Sequence, residues 1–291
     1  MQSEDGSRPP LRVVYITSRP HSGSTLLDLL ISRHSQAVSV GELNQLPKLI
    51  DTKCSCGISR ISDCEFWRAV SDQLKAGHGR TLQEIDINAD DASRFEADNV
   101  ALFRAVQAIS GKSLIVDSSK NLSRLKKLLA CDGLLITPIF LRRRSGGCVY
   151  SNVRKGRSWV RSALTGFATT KAHLQFFSTI DNVPVRYEDL CTSPAVELRR
   201  IMHATGVTFE ESQIAWSEAV RHNVGGNHMR FSRDHTIRLD EKWRVALSRH
   251  QRVLLDLLDS DMLLKRMPLP RSMKPLKPSF TPNKSSRASK R

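Results

Sequence analysis

The sequence predicts an α/β fold of three layers, with a central, mainly parallel sheet flanked by helices. Two observations carry that expectation. Short apolar runs of strand length alternate with longer segments whose apolar residues recur at helical spacing, the pattern of a parallel sheet covered on both faces. The first run, Val13-Val14-Tyr15-Ile16, also leads through a loop of small residues directly into the apolar segment Leu26-Leu27-Asp28-Leu29-Leu30-Ile31, which reads as strand, loop, helix.

Taken in order, residues 12–16 form the first strand and 24–33 its helix. Ala37-Val38-Ser39-Val40 is a second short strand ending at Gly41-Glu42-Leu43. Residues 47–95 form a cysteine-containing insertion in which Phe66-Trp67 is expected to pack inward. A helix over 97–109 carries Val100, Phe103, Ala105, Val106 and Ile109 on one face. Leu114-Ile115-Val116 is a strand ending at Asp117, and the helix over 121–130 comes next with Leu122, Leu125, Leu128 and Leu129 in a 3.6-residue period. Residues 134–141 are a buried strand, followed by helices over 146–155 and 158–177. Val183-Pro184-Val185-Arg186-Tyr187 is the last strand, and its proline argues for a sheet edge or a strand start. Helices fill 194–204, 210–221 and 240–259. No internal repeat is visible. The expected organisation is a disordered N-terminus over 1–10, a single domain over 11–268, and a basic disordered tail over 269–291.

Composition narrows the class. The chain has 291 residues, 40% of them hydrophobic and 25% charged, as expected of a globular protein with one large core. The longest apolar stretches fall far short of the roughly 20 residues a membrane span needs. Met1-Gln2-Ser3-Glu4-Asp5-Gly6 lacks the basic start and apolar core of a signal peptide, so a cytoplasmic location is expected. The net charge is +16, and residues 271–291 hold seven Lys and Arg and no acid. The +9 that remains without them suits a polyanionic ligand. No zinc-finger, RRM or homeodomain pattern supports a dedicated nucleic-acid reader.

The loop at 17–25 is the chemical centre of the sequence. Ser, Gly and Thr let backbone N–H groups turn toward one point, and the helix N-terminus after them adds the positive end of its dipole. The arrangement is P-loop-like. It lacks the Lys of a Walker A motif, because Gly23-Ser24-Thr25 puts Ser24 at that position. An ATP or GTP hydrolase is therefore disfavoured, whereas an anion cradle is not. Ligands of such sheets bind beyond the carboxyl ends of the strands, so the loops at 17–25, 41–43, 117–120 and 142–151 should meet in one crevice.

Pro20-His21-Ser22-Gly23-Ser24-Thr25-Leu26-Leu27 resembles the 5′-phosphosulfate-binding loop of sulfotransferases that use 3′-phosphoadenosine 5′-phosphosulfate (PAPS), whose form is roughly P-[RK]-S-G-T-T-x-L. Four more segments are similar to that family in the same order. They are Val116-Asp117-Ser118-Ser119-Lys120, the 141–151 segment with Arg143 and Ser151, Arg186-Tyr187-Glu188-Asp189-Leu190, and Gly225-Gly226-Asn227-His228-Met229-Arg230. The resemblance covers about residues 11–265. It departs from the family pattern at His21, where Arg or Lys is usual, and at Arg144-Ser145, which replaces an Asp-Pro.

The resemblance implies transfer of a sulfuryl group from PAPS to a hydroxyl or amine of an acceptor by in-line displacement. The backbone of 22–25 with Ser22, Gly23, Ser24 and Thr25 would hold the 5′-phosphosulfate. Arg19, His21 and Lys120 would neutralise charge near the bridging oxygen, and Arg143 and Ser151 would hold the 3′-phosphate, with Arg230 adding to the grip. Gly41-Glu42 resembles a Gly-Glu of the tyrosylprotein sulfotransferases, which implies Glu42 as general base. Asp117 and His21 are the alternatives. No metal is required for the transfer when cationic side chains take its place. The acceptor, whether carbohydrate, lipid, peptide or small molecule, is not legible. Two other readings stay open: a small-molecule or nucleotide kinase of related architecture, and a basic nucleotide-binding protein without turnover.

Six cysteines stand at 54, 56, 64, 131, 148 and 191. Cys54, Cys56 and Cys64 form a cluster, and a similar Cys-x-Cys-Gly…Cys-x-Phe-Trp insertion occurs in a bacterial branch of the family. A structural zinc site usually needs four ligands, and His78 is the nearby candidate for the fourth. Zinc, a disulfide and packed free thiols all remain open.

Overall fold

The computed structural model describes residues 9–215, 220–232, 236–260 and 264. Strand β1 (Leu11–Ser18) leads into helix α1 (Ser24–Ser32), and β2 (Ala37–Gly41) comes after it. The insertion contains a short helix α2 (Leu46–Leu49) and α3 (Glu65–His78), before α4 (Ala92–Ser110) returns the chain to the sheet. Then come β3 (Leu114–Lys120), α5 (Leu122–Leu128), β4 (Leu134–Arg142), α6 (Ser145–Val153) and α7 (Trp159–Phe177). The chain continues through β5 (Val183–Arg186), α8 (Tyr187–Thr192) and α9 (Pro194–Ala204) to α10 (Trp243–Ala246) and α11 (Arg249–Asp259).

All five expected strands form one sheet of order β2-β3-β1-β4-β5, with every pairing parallel. β1 lies at its centre and pairs with β4 from Leu11 against Leu134 to Ser18 against Leu141. Its side chains alternate between two cores. Val13 and Tyr15 join Trp67, Phe103 and Leu125 on one face, while Val14 and Ile16 join Leu27, Leu30 and Ile201 on the other. That two-sided burial is what continuous apolar runs in a parallel sheet require. Pro184 lies in the edge strand β5, where its missing N–H costs no ladder hydrogen bond.

Several boundaries differ from those the sequence suggests. α4 begins at Ala92 because the Asp91 side chain caps it, accepting from the Arg94 N–H at 2.8 Å. Its buried face is Phe95, Asp98, Asn99, Leu102, Phe103, Ala105 and Val106, so Val100 is half-buried and Ile109 is exposed. Apolar periodicity missed this phase because two polar residues on the buried face are satisfied internally. Asp98 accepts from His78, Arg80 and the Asp86 N–H, and Asn99 donates to Ile87 and Phe95 carbonyls. Leu129 is exposed, beyond the end of α5. The expected helix over 240–259 is two helices, because Ser248 and Gln251 form a capping box that starts α11 afresh. Of the helix expected over 210–221, a 3₁₀ turn at Glu211–Gln213 is observed, and 216–219 lie outside the described residues. The N-terminal residues 1–8 and the basic tail lie outside them as well. Among the described residues, no helix is long and apolar enough to cross a membrane.

Candidate active site at the carboxyl edge of the sheet

The carboxyl ends of four strands and the loops after them meet in one crevice of about 600 Å³; β3 runs on to Lys120, so 117–120 is the last stretch of that strand and not the expected loop. The loop after β1 supplies Pro20, His21, Gly23, Ser24 and Thr25. The ends of β2 and β3 supply Glu42 and Lys120, and the region after β4 supplies Arg143, Ser151, Arg154 and Lys155. Gly226, Asn227, Met229, Arg238 and Asp240 line its far side.

The β1–α1 loop is shaped by backbone conformation. Gly23 has φ +91°, and a Cβ there would stand 2.4 Å from Tyr187 Cδ2, so only glycine lets the loop close over that ring. His21 and Lys120 have φ +67° and +65°; they are the non-glycine residues of positive φ among those described. Both lie in the crevice, where side chains are held at a cost the surrounding packing sustains.

Lys120 Nζ donates to Glu42 Oε1, and both side chains are about one-fifth exposed. Glu42 is fixed from behind, because its N–H donates to the Val224 carbonyl at 2.7 Å. Gly41, at φ +72°, allows that approach, since a Cβ would meet Val224 O at 2.4 Å.

Arg143 is held on several sides. Nη1 donates to the His21 carbonyl at 3.1 Å, and Nη2 donates to the Asp240 carbonyl at 2.9 Å and to Asp240 Oδ2 at 3.2 Å. Its guanidinium lies over the Tyr187 ring, 4.2 Å from the centroid. Ser151 Oγ donates to Gly147 O at 2.9 Å, one turn back along α6. Arg230 lies in the 3₁₀ turn His228–Phe231 behind Gly226, and its Nε and Nη1 are buried without a hydrogen-bond partner. Burial lowers its pKa, while Glu42 raises it. The Asn227 N–H donates to Thr25 Oγ1 at 3.1 Å, tying this segment to the start of α1.

His21 is pushed down to about 4, first by burial and then by Lys155, Lys120, Arg157 and Arg143. It is neutral at pH 7 in this state and does not replace the charge of an Arg or Lys.

Two residues of the expected set point elsewhere. Arg19 is buried beneath α6 and α7, donating to Ser145 Oγ at 2.9 Å, and it packs on Gly166, where a Cβ would stand 2.0 Å from Nη2. It lines an adjoining hollow with Arg142, Arg186 and Asp259, and Arg143 lines both that hollow and the crevice. The Ser22 hydroxyl faces Cys148 Sγ at 3.7 Å and lines that same hollow, so Ser22 can offer the crevice only its backbone. Asp117, the alternative base, is fully buried. It accepts from Arg124 Nε at 3.2 Å and from the Ser119 N–H at 2.9 Å. Arg154, Lys155 and Asp240 are crevice residues that motif reading missed. The basic run Arg154-Lys155 shortly after Ser151 was the available signal for two of them.

The cysteine cluster has a different fourth member from the one expected. His78 Nε2 is 2.9 Å from Asp98 Oδ1, and it is His222 that joins Cys54, Cys56 and Cys64.

No family model matches the chain, and no curated protein matches it. Two solved structures are similar over nearly the whole chain. The sulfotransferase domain from the Synechococcus PCC 7002 olefin synthase superposes with a TM-score of 0.53 and 17% identity, covering 89% of this chain and 98% of that domain. The sulfotransferase domain from the curacin biosynthetic pathway gives 0.52 and 20% identity, covering 92% and 96%. The chain thus has the fold of sulfotransferase domains, with the five-stranded parallel sheet and its flanking helices.

Proposed function

We propose that this protein is a PAPS-dependent sulfotransferase that transfers a sulfuryl group to a hydroxyl or amine of an acceptor. The observation that carries this reading is the convergence of Arg143, Lys120, Lys155 and the β1–α1 loop on one crevice, beside a half-buried Arg230 guanidinium that stacks on Phe231 and leaves Nε and Nη1 without hydrogen-bond partners. Buried guanidinium N–H groups without hydrogen-bond acceptors are costly, and an anionic ligand removes that cost. The donor is anionic at both ends, and the crevice has cations spread along its length.

The start of α1, with the N–H groups of 23–25 and the Ser24 and Thr25 hydroxyls, holds the phosphosulfate. Arg143, with Ser151 and the adjoining Lys155, holds the 3′-phosphate through the guanidinium fork. Arg19 and the Ser22 hydroxyl support this loop from behind. Glu42 takes the proton of the acceptor hydroxyl as its oxygen forms the bond to sulfur. The sulfur–oxygen bond to the 5′-phosphate breaks, and the electron pair leaves with adenosine 3′,5′-bisphosphate. Lys120 orients Glu42 and, with three donors on one ammonium, can also meet the charge that builds on the leaving oxygen.

Transfer of radiolabelled sulfate from PAPS to a panel of acceptors tests the reading. Glu42→Gln should retain binding of adenosine 3′,5′-bisphosphate and lose turnover by roughly 10²–10⁴-fold, the usual contribution of a general base. Turnover that survives the substitution removes Glu42 from that role.

A further inference from the structure

We propose that Cys54, Cys56, Cys64 and His222 bind one structural zinc ion that fastens the insertion to the segment covering the active-site crevice. The four ligand atoms, three Sγ and one imidazole nitrogen, lie within 4.8 Å of one another. Cys56 Sγ and Cys64 Sγ are 3.7 Å apart, and Cys64 Sγ is 3.1 Å from His222 Nδ1. A tetrahedral ion with zinc–sulfur bonds of about 2.3 Å separates two thiolates by about 3.8 Å. A disulfide instead requires sulfurs about 2 Å apart. Three thiolates and an imidazole form a recurrent closed structural zinc set. The 4.8 Å envelope suits a single ion and leaves no room for the inorganic sulfides of a cluster between the ligands.

The local backbone is built around these four atoms. Cys54 and Cys56 sit in a tight turn, in which the Gly57 N–H donates to the Cys54 carbonyl at 3.0 Å and Gly57 adopts φ +103°. Cys64 is the residue before α3, and the first turn of that helix supplies the outer shell. The Trp67 indole donates to the His222 carbonyl at 2.7 Å, and Phe66 stacks on the His222 ring with centroids 4.7 Å apart. Cys54 and Cys64 are buried, and Cys56 and His222 are half-buried. Such an outer shell fixes ligand orientation.

The residues just after His222 give the ion its consequence. Asn223 donates to Asp28 Oδ2 at 2.7 Å, Val224 bonds with Val40 and Glu42, and Asn227 reaches Thr25. The ion therefore anchors one end of the strap that holds Glu42 and roofs the phosphosulfate loop. Its site is distinct from the crevice, and its existence does not depend on the sulfotransferase reading.

Elemental analysis of the full-length protein, purified without chelator, tests this. One zinc per chain is expected, lost in His222→Ala and in Cys56→Ser and retained in His222→Cys, which keeps a zinc-ligating side chain. Exchange of the wild-type ion for cobalt should give thiolate-to-metal charge-transfer absorption, a readout that needs no variant to fold. Zinc removal by a strong chelator should lower the thermal midpoint by about 10 °C or more, since structural zinc is strongly coupled to folding. Folded protein that holds no zinc and takes up no cobalt overturns the proposal. So does a Cys56–Cys64 disulfide in freshly isolated protein, or stoichiometric iron with acid-labile sulfide.

Discussion

His21 stands where the phosphosulfate-binding loop that this segment resembles usually carries a lysine or arginine. A lysine or arginine there would carry a permanent charge, whereas His21 is neutral at pH 7 because burial and four surrounding cations hold its pKa near 4. A bound dianion offsets those cations and favours the imidazolium, so the pKa rises in the complex. The complex then binds a proton that the free protein does not, so His21's contribution to affinity grows as pH falls toward the value of about 4 that His21 has in the free protein. Titration calorimetry of adenosine 3′,5′-bisphosphate at pH 6, in buffers of different ionisation enthalpy, should show more proton uptake for wild type than for His21→Gln. The variant also serves as the reference for protonation of the phosphates themselves. Equal uptake by the two proteins would show that the imidazole does not respond to the ligand.

At the scale of elements, the end of β3 separates architecture from chemistry. Asp117 and Lys120 are three residues apart in one strand, yet Asp117 is sealed against Arg124 while Lys120 faces the crevice. Arg124 also donates to the Ile87 carbonyl and to Asn99 Oδ1, so this one ion pair locks α5, α4 and the insertion to the sheet. Asp117→Asn leaves a buried guanidinium without its counter-charge and should cost about 3–5 kcal/mol, or a thermal midpoint lower by roughly 10 °C. The folded fraction should turn over within a few-fold of wild type. A stable Asp117→Asn protein that is catalytically dead would restore Asp117 as a candidate base.

The sequence made the strands and their order-independent pattern legible, because a parallel sheet writes itself as separated apolar runs. It also located the crevice, because parallel strands deliver the loops after them to the same edge. Side-chain direction was not legible. Arg19 and His21 are two residues apart, and only tertiary contacts with Ser145 and Gly166 turn Arg19 away. His222 was equally hidden, since 158 residues separate it from Cys64 and no local spacing announces the pair.

Across the whole molecule, the surplus of basic residues and the arrangement of loops at one sheet edge suit a polyanionic ligand. Long-range attraction will speed its capture at low ionic strength and fade as salt screens it. Calorimetric titration of adenosine 3′,5′-bisphosphate into metal-free buffer tests that account most directly. One site per chain is predicted, with affinity weakened roughly 10–100-fold in Arg143→Ala, the loss expected for charge-assisted hydrogen bonds to phosphate. No binding of the bisphosphate, or binding that Arg143→Ala leaves untouched, would contradict it.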